Sequence, residues 1–469
     1  MTNNNFQFFH GGTMRRRIIV LSSMIAAAAS FTAYGSELDE LKAVVRQLQQ
    51  RIEQLENRQK TDASQAAAPA ARPGKTTAAT EPVTAGSIPG SFRIPGTDTS
   101  IKIYGNVRVD ATYDFAGRNN DIRNNDWASV VFAQPLSTNS ANRLREKQFY
   151  ATARASRLGV VTSTPTALGD VELKLEGDFN APNDYMGELG SNGTQFRLRH
   201  AYGRAGNLLL GQTWSNFIDL RSYPETVDFN PTGDVTLIRQ AQLRYTLPMG
   251  SASLAFSVEN PESLSSLPPF QTASNAGRND FDRTPDFMAN WTWNGEKAHV
   301  SARAVTMEYR NDLHGKRGYA LALSGSTTLG AGTLVAGIQG GEGIGRYMFN
   351  SVLQGATDTG TDLRLWKGTG WHLGYTQPWT STLRSNLIVS RSAFSADAAA
   401  DAFQRARFLG GADEFIPNKR VDQAFANLFW GVAKNTEFGL EYAYGKRATF
   451  GPEIGTQRRI NATAIYNFY

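Results

Sequence analysis

The sequence predicts an all-β protein, a 16-stranded antiparallel transmembrane β-barrel preceded by a short N-terminal α-helical coiled coil. Three observations indicate the barrel. Apolar and polar residues alternate in stretch after stretch from residue 101 onward, as in IKIYGNVRVDATYDF at 101–115. Short and long connections between these stretches alternate along the chain. The chain also ends on an alternating apolar face that closes on aromatic residues, RINATAIYNFY.

The composition agrees with this class and excludes several kinds of chemistry. Of the 469 residues none is cysteine, which excludes disulfides, thiolate metal sites and cysteine nucleophiles. Mean hydropathy is −0.38, although glycine and aromatic residues are abundant. These values are consistent with two classes: a secreted all-β protein, or a membrane barrel in which polar residues alternate with apolar ones and so lower the mean hydropathy of its strands. The net charge of +6 owes three units to Arg15–Arg17, so the remainder is too small to predict nucleic-acid binding.

Residues 1–35 are predicted to be a secretory signal peptide. Arg15–Arg17 form a basic region, 18–33 is apolar, and small residues occupy the −3 and −1 positions of a cut before Ser36. Met14 is the expected start, because the residues before it do not belong to a signal. The alternative is an uncleaved membrane anchor, but the apolar run is short and rich in alanine and serine.

Residues 36–60 are predicted to form a coiled coil in the periplasm. Apolar residues recur at spacings of 3, 4, 3, 4 and 3, which gives a seam of Leu38, Leu41, Val45, Leu48, Ile52 and Leu55. The alternative is one amphipathic helix packed on a core, but no globular sequence flanks it. Fewer than three heptads are marginal alone, and the seam does not fix the number of chains. Residues 61–91, rich in Ala, Pro and Thr, are predicted to be a flexible linker.

The predicted barrel occupies residues 92–469, and its strand number follows from its connections. Seven short turns are expected at 164–169, 204–206, 248–250, 294–296, 329–331, 377–381 and 433–435. Eight longer, polar connections are expected at 116–147, 181–194, 216–237, 261–284, 310–317, 342–360, 393–419 and 447–456. Fifteen connections require sixteen strands, with both chain ends on the short-turn side. Stretches 148–161 and 317–328 alternate poorly. A soluble multi-sheet protein is the alternative, but it would not explain the alternating connection lengths.

Aromatic residues indicate contact with outer-membrane lipid and with the machinery that assembles barrels. Tryptophans lie near predicted strand ends, where aromatic girdles form, at Trp291, Trp293, Trp366, Trp371, Trp379 and Trp430. The last strand resembles the C-terminal signal that outer-membrane proteins present for assembly. It departs from that signal because Tyr469 follows Phe468, the last residue of the pattern.

The polar face of the strands is predicted to line a pore with an arginine surplus. Candidate pore-lining and substrate-binding residues are Arg108, Arg154, Arg197, Arg199, Arg244, Arg303, Arg364 and Arg384. Guanidinium groups bind carboxylates bidentately, and rings of them favour anions. For any single arginine, the alternative is an ion pair that stiffens the wall.

One long connection, 216–237, is predicted to be a constriction loop. It is acidic and contains two prolines; its candidate residues are Asp219, Glu225, Asp228 and Asp234. Folded inside the barrel, it would make a narrow waist with a field across it. The alternative is an ordinary surface loop.

Enzyme chemistry is not predicted. The five histidines are scattered and none has metal-ligand spacing, so neither a metal nor a cofactor is expected. No nucleophile-elbow motif occurs in the sequence.

Five segments resemble the DcaP-like trimeric porin family: FRIPGTDTSIKIYG (92–105), TSTPTALGDVELKLEGDF (162–179), FRLRHAYG (196–203), LLLGQTWSNF (208–217) and PETVDFN (224–230). The resemblance covers most of the chain. It implies a homotrimeric, sixteen-stranded outer-membrane porin with a periplasmic coiled coil and a preference for dicarboxylates and similar small anions. Arg197 and Arg199 lie inside FRLRHAYG, which makes them candidates for substrate contact.

The sequence is therefore interpreted as an outer-membrane porin for passive diffusion of small anionic solutes, with dicarboxylates expected as substrates. One alternative is a structural barrel that tethers the periplasmic coiled coil. Another is a hydrolase carried on a barrel, which would need a serine and a histidine close together.

Overall fold

A computed structural model describes residues 83–116, 147–167, 169–181, 195–261, 281–349, 355–359, 361–409, 418–450 and 454–468. All of them belong to one compact unit, Thr80–Tyr469. The predicted signal peptide, the coiled-coil seam and the linker up to residue 82 lie outside the described residues.

Sixteen antiparallel strands form one closed barrel, as predicted. Each strand pairs with its neighbours in the chain, and the last pairs with the first, in a register that sets Val107 opposite Tyr466. The strands are β1 (Ser100–Ala116), β2 (Gln148–Thr152 and Arg157–Thr166), β3 (Gly169–Asp178), β4 (Arg197–Ala205), β5 (Leu208–Trp214), β6 (Arg239–Met249), β7 (Ala252–Glu259), β8 (Asp286–Asn294), β9 (Ala298–Arg310), β10 (Gly315–Leu329), β11 (Gly332–Glu342), β12 (Lys367–Pro378), β13 (Leu383–Ser395), β14 (Asn418–Ala433), β15 (Thr436–Thr449) and β16 (Ile454–Phe468).

The strand bounds place short connections at all seven predicted positions. Gly250, in the turn between β6 and β7, has a φ of +64°, a conformation that glycine adopts without strain. Two connections predicted to be long are shorter, because the flanking strands extend further than their sequence alternation indicates. Strands β9 and β10 remain paired up to Arg310 and Gly315, and β15 and β16 are separated only by residues 450–453.

The two poorly alternating stretches behave differently. Strand β10 is regular, and its exposed and buried residues alternate over most of its length. Strand β2 is interrupted: its two segments both pair with β1, and residues 153–156 separate them. The irregular sequence of this stretch therefore corresponds to a break in the strand.

Outside the barrel strands, the described residues form a few short elements. The strand Phe92–Arg93 pairs with β1, and Ala356–Asp358 pairs with Leu363–Leu365 in a small hairpin. Helix α1 spans Ala398–Leu409 in the connection after β13. Among the described residues no helix is long and apolar enough to cross a membrane.

The apolar faces of the strands point outward. Leu173 and Leu175 of β3 are 55% and 56% exposed, whereas Glu176 is buried inside the barrel. Four of the six predicted girdle tryptophans are exposed: Trp291, Trp371, Trp379 and Trp430. Trp366 differs from the prediction, because it is buried and its ring packs edge-on against Phe450 at 4.6 Å.

One side of the barrel interior is filled by an apolar cluster. It combines inward side chains of β8, β9, β10 and β13 with residues of the connection after β11 and with Phe217. Its members include Met288, Tyr309, Tyr347, Met348, Trp366 and Phe394.

Candidate functional site: the lumen and its charged lining

The connection between β5 and β6, residues 215–238, is called the inner loop because it contacts inward side chains of distant strands. Its first residues bond to β7 and β9: Glu259 accepts the Asn216 N–H at 2.7 Å, and His299 Nε2 lies 2.8 Å from an Asp219 oxygen. Such contacts continue around the wall to β15 and β1. The inner loop therefore lies within the lumen.

His372 of β12 joins the two halves of the inner loop. Its Nε2 donates to the Ser222 carbonyl at 2.9 Å, and its Nδ1 lies 2.6 Å from an Asp234 oxygen. Gln423 of β14 accepts the Gly233 N–H at 2.7 Å. Side chains of β12 and β14, which lie on the same wall, therefore fix both the first and the second half of the inner loop.

The tip of the inner loop is held by charged side chains. Glu441 of β15 accepts the backbone N–H groups of Val227 and Asp228 at 2.9 and 3.0 Å. Arg384 of β13 binds Glu225 with two hydrogen bonds, at 2.8 and 2.6 Å. Hydrogen bonds to ionised groups are about twice as strong as neutral ones, so these contacts determine where the tip lies.

The acidic residues of the inner loop mostly face the wall. Asp219, Asp228 and Asp234 are each at most 7% exposed. Asp219 also accepts hydrogen bonds from Ser222 and Ser324, and burial raises the pKa of the Asp228 carboxyl to about 8. The expected acidic field across a waist is therefore weak, because Asp219 and Asp234 bond to wall side chains and Asp228 is protonated at pH 7.

Four of the predicted pore-lining arginines are neutralised by carboxylates of neighbouring residues. Their ion pairs are Arg108–Asp110, Arg197–Asp178, Arg199–Glu176 with Asp178, and Arg384–Glu225 with Glu437. Arg108 also donates to the Val227 carbonyl at 2.8 Å. These four side chains are structural ties as well as parts of the lining.

The other four predicted arginines are placed differently. Arg244 donates to Gln242 and to the Trp214 carbonyl, and Arg303 donates to Ser324. Arg154 is buried in the break within β2, 5.6 Å from the centre of the Tyr150 ring.

Arg364 is a correction to the predicted lining. It lies on the small hairpin after β11, not on a barrel strand, and its Nη1 is 3.2 Å from Asp397. Period-two alternation predicted its orientation, but the alternation there belongs to a hairpin in a connection.

Two arginines that the sequence analysis missed lie on the same wall as Arg197 and Arg199. The Arg239 guanidinium stacks on the Trp214 ring, 3.3 Å from its centre, and interacts electrostatically with Arg157. Within the described residues Arg239 has no carboxylate partner, and its Nε makes no hydrogen bond. Arg157 lies in the poorly alternating stretch, and Arg239 immediately precedes an alternating one, so neither belonged to a recognised pattern.

A β-bulge in strand β4 concentrates charge on this wall. The register passes from Leu198 opposite Gly177 to His200 opposite Glu176, which leaves Arg199 as the extra residue. A bulge lets consecutive side chains point to the same side. Arg199 and His200 are therefore both buried on the inner face.

The wall formed by β2 to β6 consequently carries a basic surplus. Its basic cluster consists of five cations around two carboxylates: Arg157, Lys174, Arg197, Arg199 and Arg239 around Glu176 and Asp178. This arrangement can bind an anion that enters the lumen. In the part of the chain that the structure describes, no group of three or more metal-ligating side chains comes together.

Comparisons with known proteins agree with this architecture. The family model described as DcaP outer membrane protein matches residues 26–259 and 337–468. The crystal structure of the outer membrane channel DcaP of Acinetobacter baumannii is 26% identical, covers 82% of this chain and 100% of its own, and superposes with a TM-score of 0.67. A comparison with curated protein sequences finds no match.

Two more distant porins share the fold. An anion-selective porin from Comamonas acidovorans is 12% identical, with 79% of this chain and 100% of that chain covered and a TM-score of 0.50. OmpF of Salmonella typhi is also 12% identical, with coverage of 79% and 98% and a TM-score of 0.50. The closed sixteen-stranded barrel and the family match over most of the chain show that this protein belongs to the DcaP outer membrane protein family of porins.

Proposed function

We propose that this porin conducts small anionic solutes by passive diffusion and prefers dicarboxylates. The observation that carries the proposal is the basic cluster on β2 to β6, in which five cations surround two carboxylates. Arg239 is the member of the cluster that no carboxylate binds among the described residues. The inner loop supplies little opposing field, because Asp219 and Asp234 bond to the wall, Glu225 pairs with Arg384, and Asp228 is protonated at pH 7.

The physical basis is the exchange of hydration for guanidinium contacts. A dianion that enters a narrow lumen loses part of its water, and fixed guanidinium groups replace it with charge-assisted hydrogen bonds. Conduction also requires release. We therefore expect a dicarboxylate affinity no tighter than about millimolar, or about 4 kcal/mol.

The test is the reversal potential of single channels in a potassium chloride gradient. Wild-type protein should prefer chloride, and Arg239→Gln should move the reversal potential toward cation preference. Arg317→Gln is a matched control, because Arg317 is an exposed arginine on the outer face that contacts threonine hydroxyls. Potassium preference in the wild type, or an unchanged reversal potential in Arg239→Gln, would contradict the proposal. A structural tether with a closed lumen would give no current steps at all.

We also propose that the porin is a homotrimer in outer-membrane lipid, inserted by the barrel assembly machinery through β16, with the coiled coil of residues 36–60 in the periplasm. The coiled-coil seam and the family resemblance support this assembly. Native mass spectrometry of the detergent-extracted protein should give a mass of three chains, and a single-chain mass would contradict it.

A further inference from the structure

A cavity lies on the short-turn side of the inner loop. Its volume is about 370 Å³, and its lining includes Trp214, Asp219, Arg221, Arg244, Asn294 and His299. Asn294 is the last residue of β8, and Arg244 lies five residues before the end of β6. Both strand ends lead into short turns, so this cavity belongs to the short-turn half of the barrel.

The two arginines of this cavity have no carboxylate partner among the described residues. Arg244 donates from Nε to Gln242 at 2.8 Å and from Nη2 to the Trp214 carbonyl at 2.5 Å. Arg221 donates to the side-chain oxygen of Asn294 and is exposed. Neutral oxygens therefore orient both guanidinium groups without cancelling their charge.

The one acidic residue of the lining is already engaged. Asp219 lies 2.8 Å from His299 Nε2 and accepts hydrogen bonds from Ser324 and Ser222 at 2.6 and 2.5 Å. Its carboxylate is buried against the wall, whereas Arg221 is exposed. An anion entering from the short-turn side would thus contact Arg221 and Arg244, and the one carboxylate of the cavity, Asp219, is already bonded to other side chains.

We infer that this cavity is a second binding site for small carboxylates, separate from the basic cluster on the long-loop side. The inference rests on the proposed anion conduction and adds to it a two-site path. Arg239 and Arg244 lie on the same strand, five residues apart, and the two sites adjoin at Trp214, which both guanidinium groups contact.

Trp214 separates the two sites. The Arg239 guanidinium stacks on its ring, and its carbonyl oxygen accepts a hydrogen bond from Arg244. Two weak sites in series let an ion enter and leave more readily than one strong site does. A solute therefore passes from the basic cluster to the cavity by exchanging one set of guanidinium contacts for another.

Side-specific block of single channels by succinate tests the inference. The chain contains no cysteine, so Ser251→Cys in the short turn after β6 shows by thiol labelling which chamber that turn faces. Succinate added on the short-turn side should give blocks whose dwell time falls roughly tenfold in Arg221→Gln/Arg244→Gln, the scale expected for lost hydrogen bonds to charged groups. Blocks from the long-loop side should remain in this variant and should shorten in Arg239→Gln.

Arg204→Gln is the control, because it removes one positive charge near the same end of the barrel from an arginine paired with Glu172 at 3.0 Å. If the double variant is blocked like the wild type from the short-turn side while Arg239→Gln is altered, the second site is wrong and anion conduction stands. If Arg204→Gln loses block to the same extent, the effect comes from the overall charge of this end of the barrel, and the second site is wrong. Absence of anion preference in the wild type would instead overturn the proposed function.

Discussion

The loop-bearing wall, strands β7 to β15 together with β1, and the bare wall, strands β2 to β6, both carry charged residues but use them differently. On the loop-bearing wall, Glu441, His372 and Arg384 contact the inner loop. On the bare wall, Arg197 and Arg199 bind carboxylates of the adjacent strand, and further cations remain in excess. The comparison teaches that the number of arginines in a lumen is a poor measure of its charge.

The physical reason is that an ion pair cancels most of the field of its members at a distance. Arg384 contributes to the position of the inner loop, because both of its neighbours are glutamates. Arg239 contributes to the field, because its contact is the face of an aromatic ring. The two walls can therefore be separated by comparing variants that release the inner loop with variants that change only the lumen charge.

The largest effect is expected from releasing the tip of the inner loop. Glu441→Gln keeps the shape of the side chain but replaces one carboxylate oxygen by an amide NH₂. This NH₂ cannot accept the backbone N–H group that the oxygen now accepts, so the attachment of the loop should weaken by about 2–4 kcal/mol. Single-channel conductance and open-channel noise should both rise. Glu308→Gln is the control, since Glu308 pairs with Arg310 on β9. Conductance like that of the wild type in Glu441→Gln would show that the loop does not limit the current.

A smaller effect is expected from a matched pair of arginine variants, one on each wall. Arg384 and Arg197 have similar side-chain exposures, 29% and 34%. Arg384→Gln removes the tie to Glu225, a partly exposed pair worth about 1 kcal/mol, and should raise conductance. Arg197→Gln removes the same single charge but should leave conductance unchanged, whereas both variants should reduce chloride preference, as measured by the reversal potential. Identical responses of the two variants would remove the distinction between the walls.

The smallest effect is expected at Asp228, and it depends on pH. Its pKa of about 8 keeps the carboxyl protonated at pH 7, so Asp228→Asn should match the wild type there. As pH rises through about 8 the wild-type group ionises near Glu441, Asp110 and Arg459. The buried charge and its repulsion by Glu441 and Asp110 then weaken the attachment of the inner loop to the wall, and the attraction of Arg459 offsets part of this effect. Wild-type channels should become noisier between pH 7 and 9, and Asp228→Asn channels should not.

Much of the fold could be predicted from the sequence, because the signals are local in the chain. Alternation with period two specifies which side of a strand is apolar, and turn residues mark where strands end. Strand β3 illustrates this: its leucines face outward and its charged residues inward, as their order requires. The prediction was weakest where alternation is interrupted, as in the two segments of β2.

The candidate site could be predicted only in part. Sequence identified Arg197 and Arg199 but not Arg157 and Arg239, because the first lies in an irregular strand and the second at the edge of one. It also placed Arg364 on the lumen wall, although the alternation around that residue belongs to a short hairpin. A pattern along one strand does not reveal what the residue meets across the barrel.

The sequence by itself determined the number of strands, the face that each strand turns outward and the polar character of the lumen. The reason is that each of these properties depends on residues within a few positions of one another. Tertiary structure alone decided which charges remain available to a solute. Glu225 and Arg384 are 159 positions apart in the chain, and their ion pair exists only because the closed barrel and the inner loop bring them together.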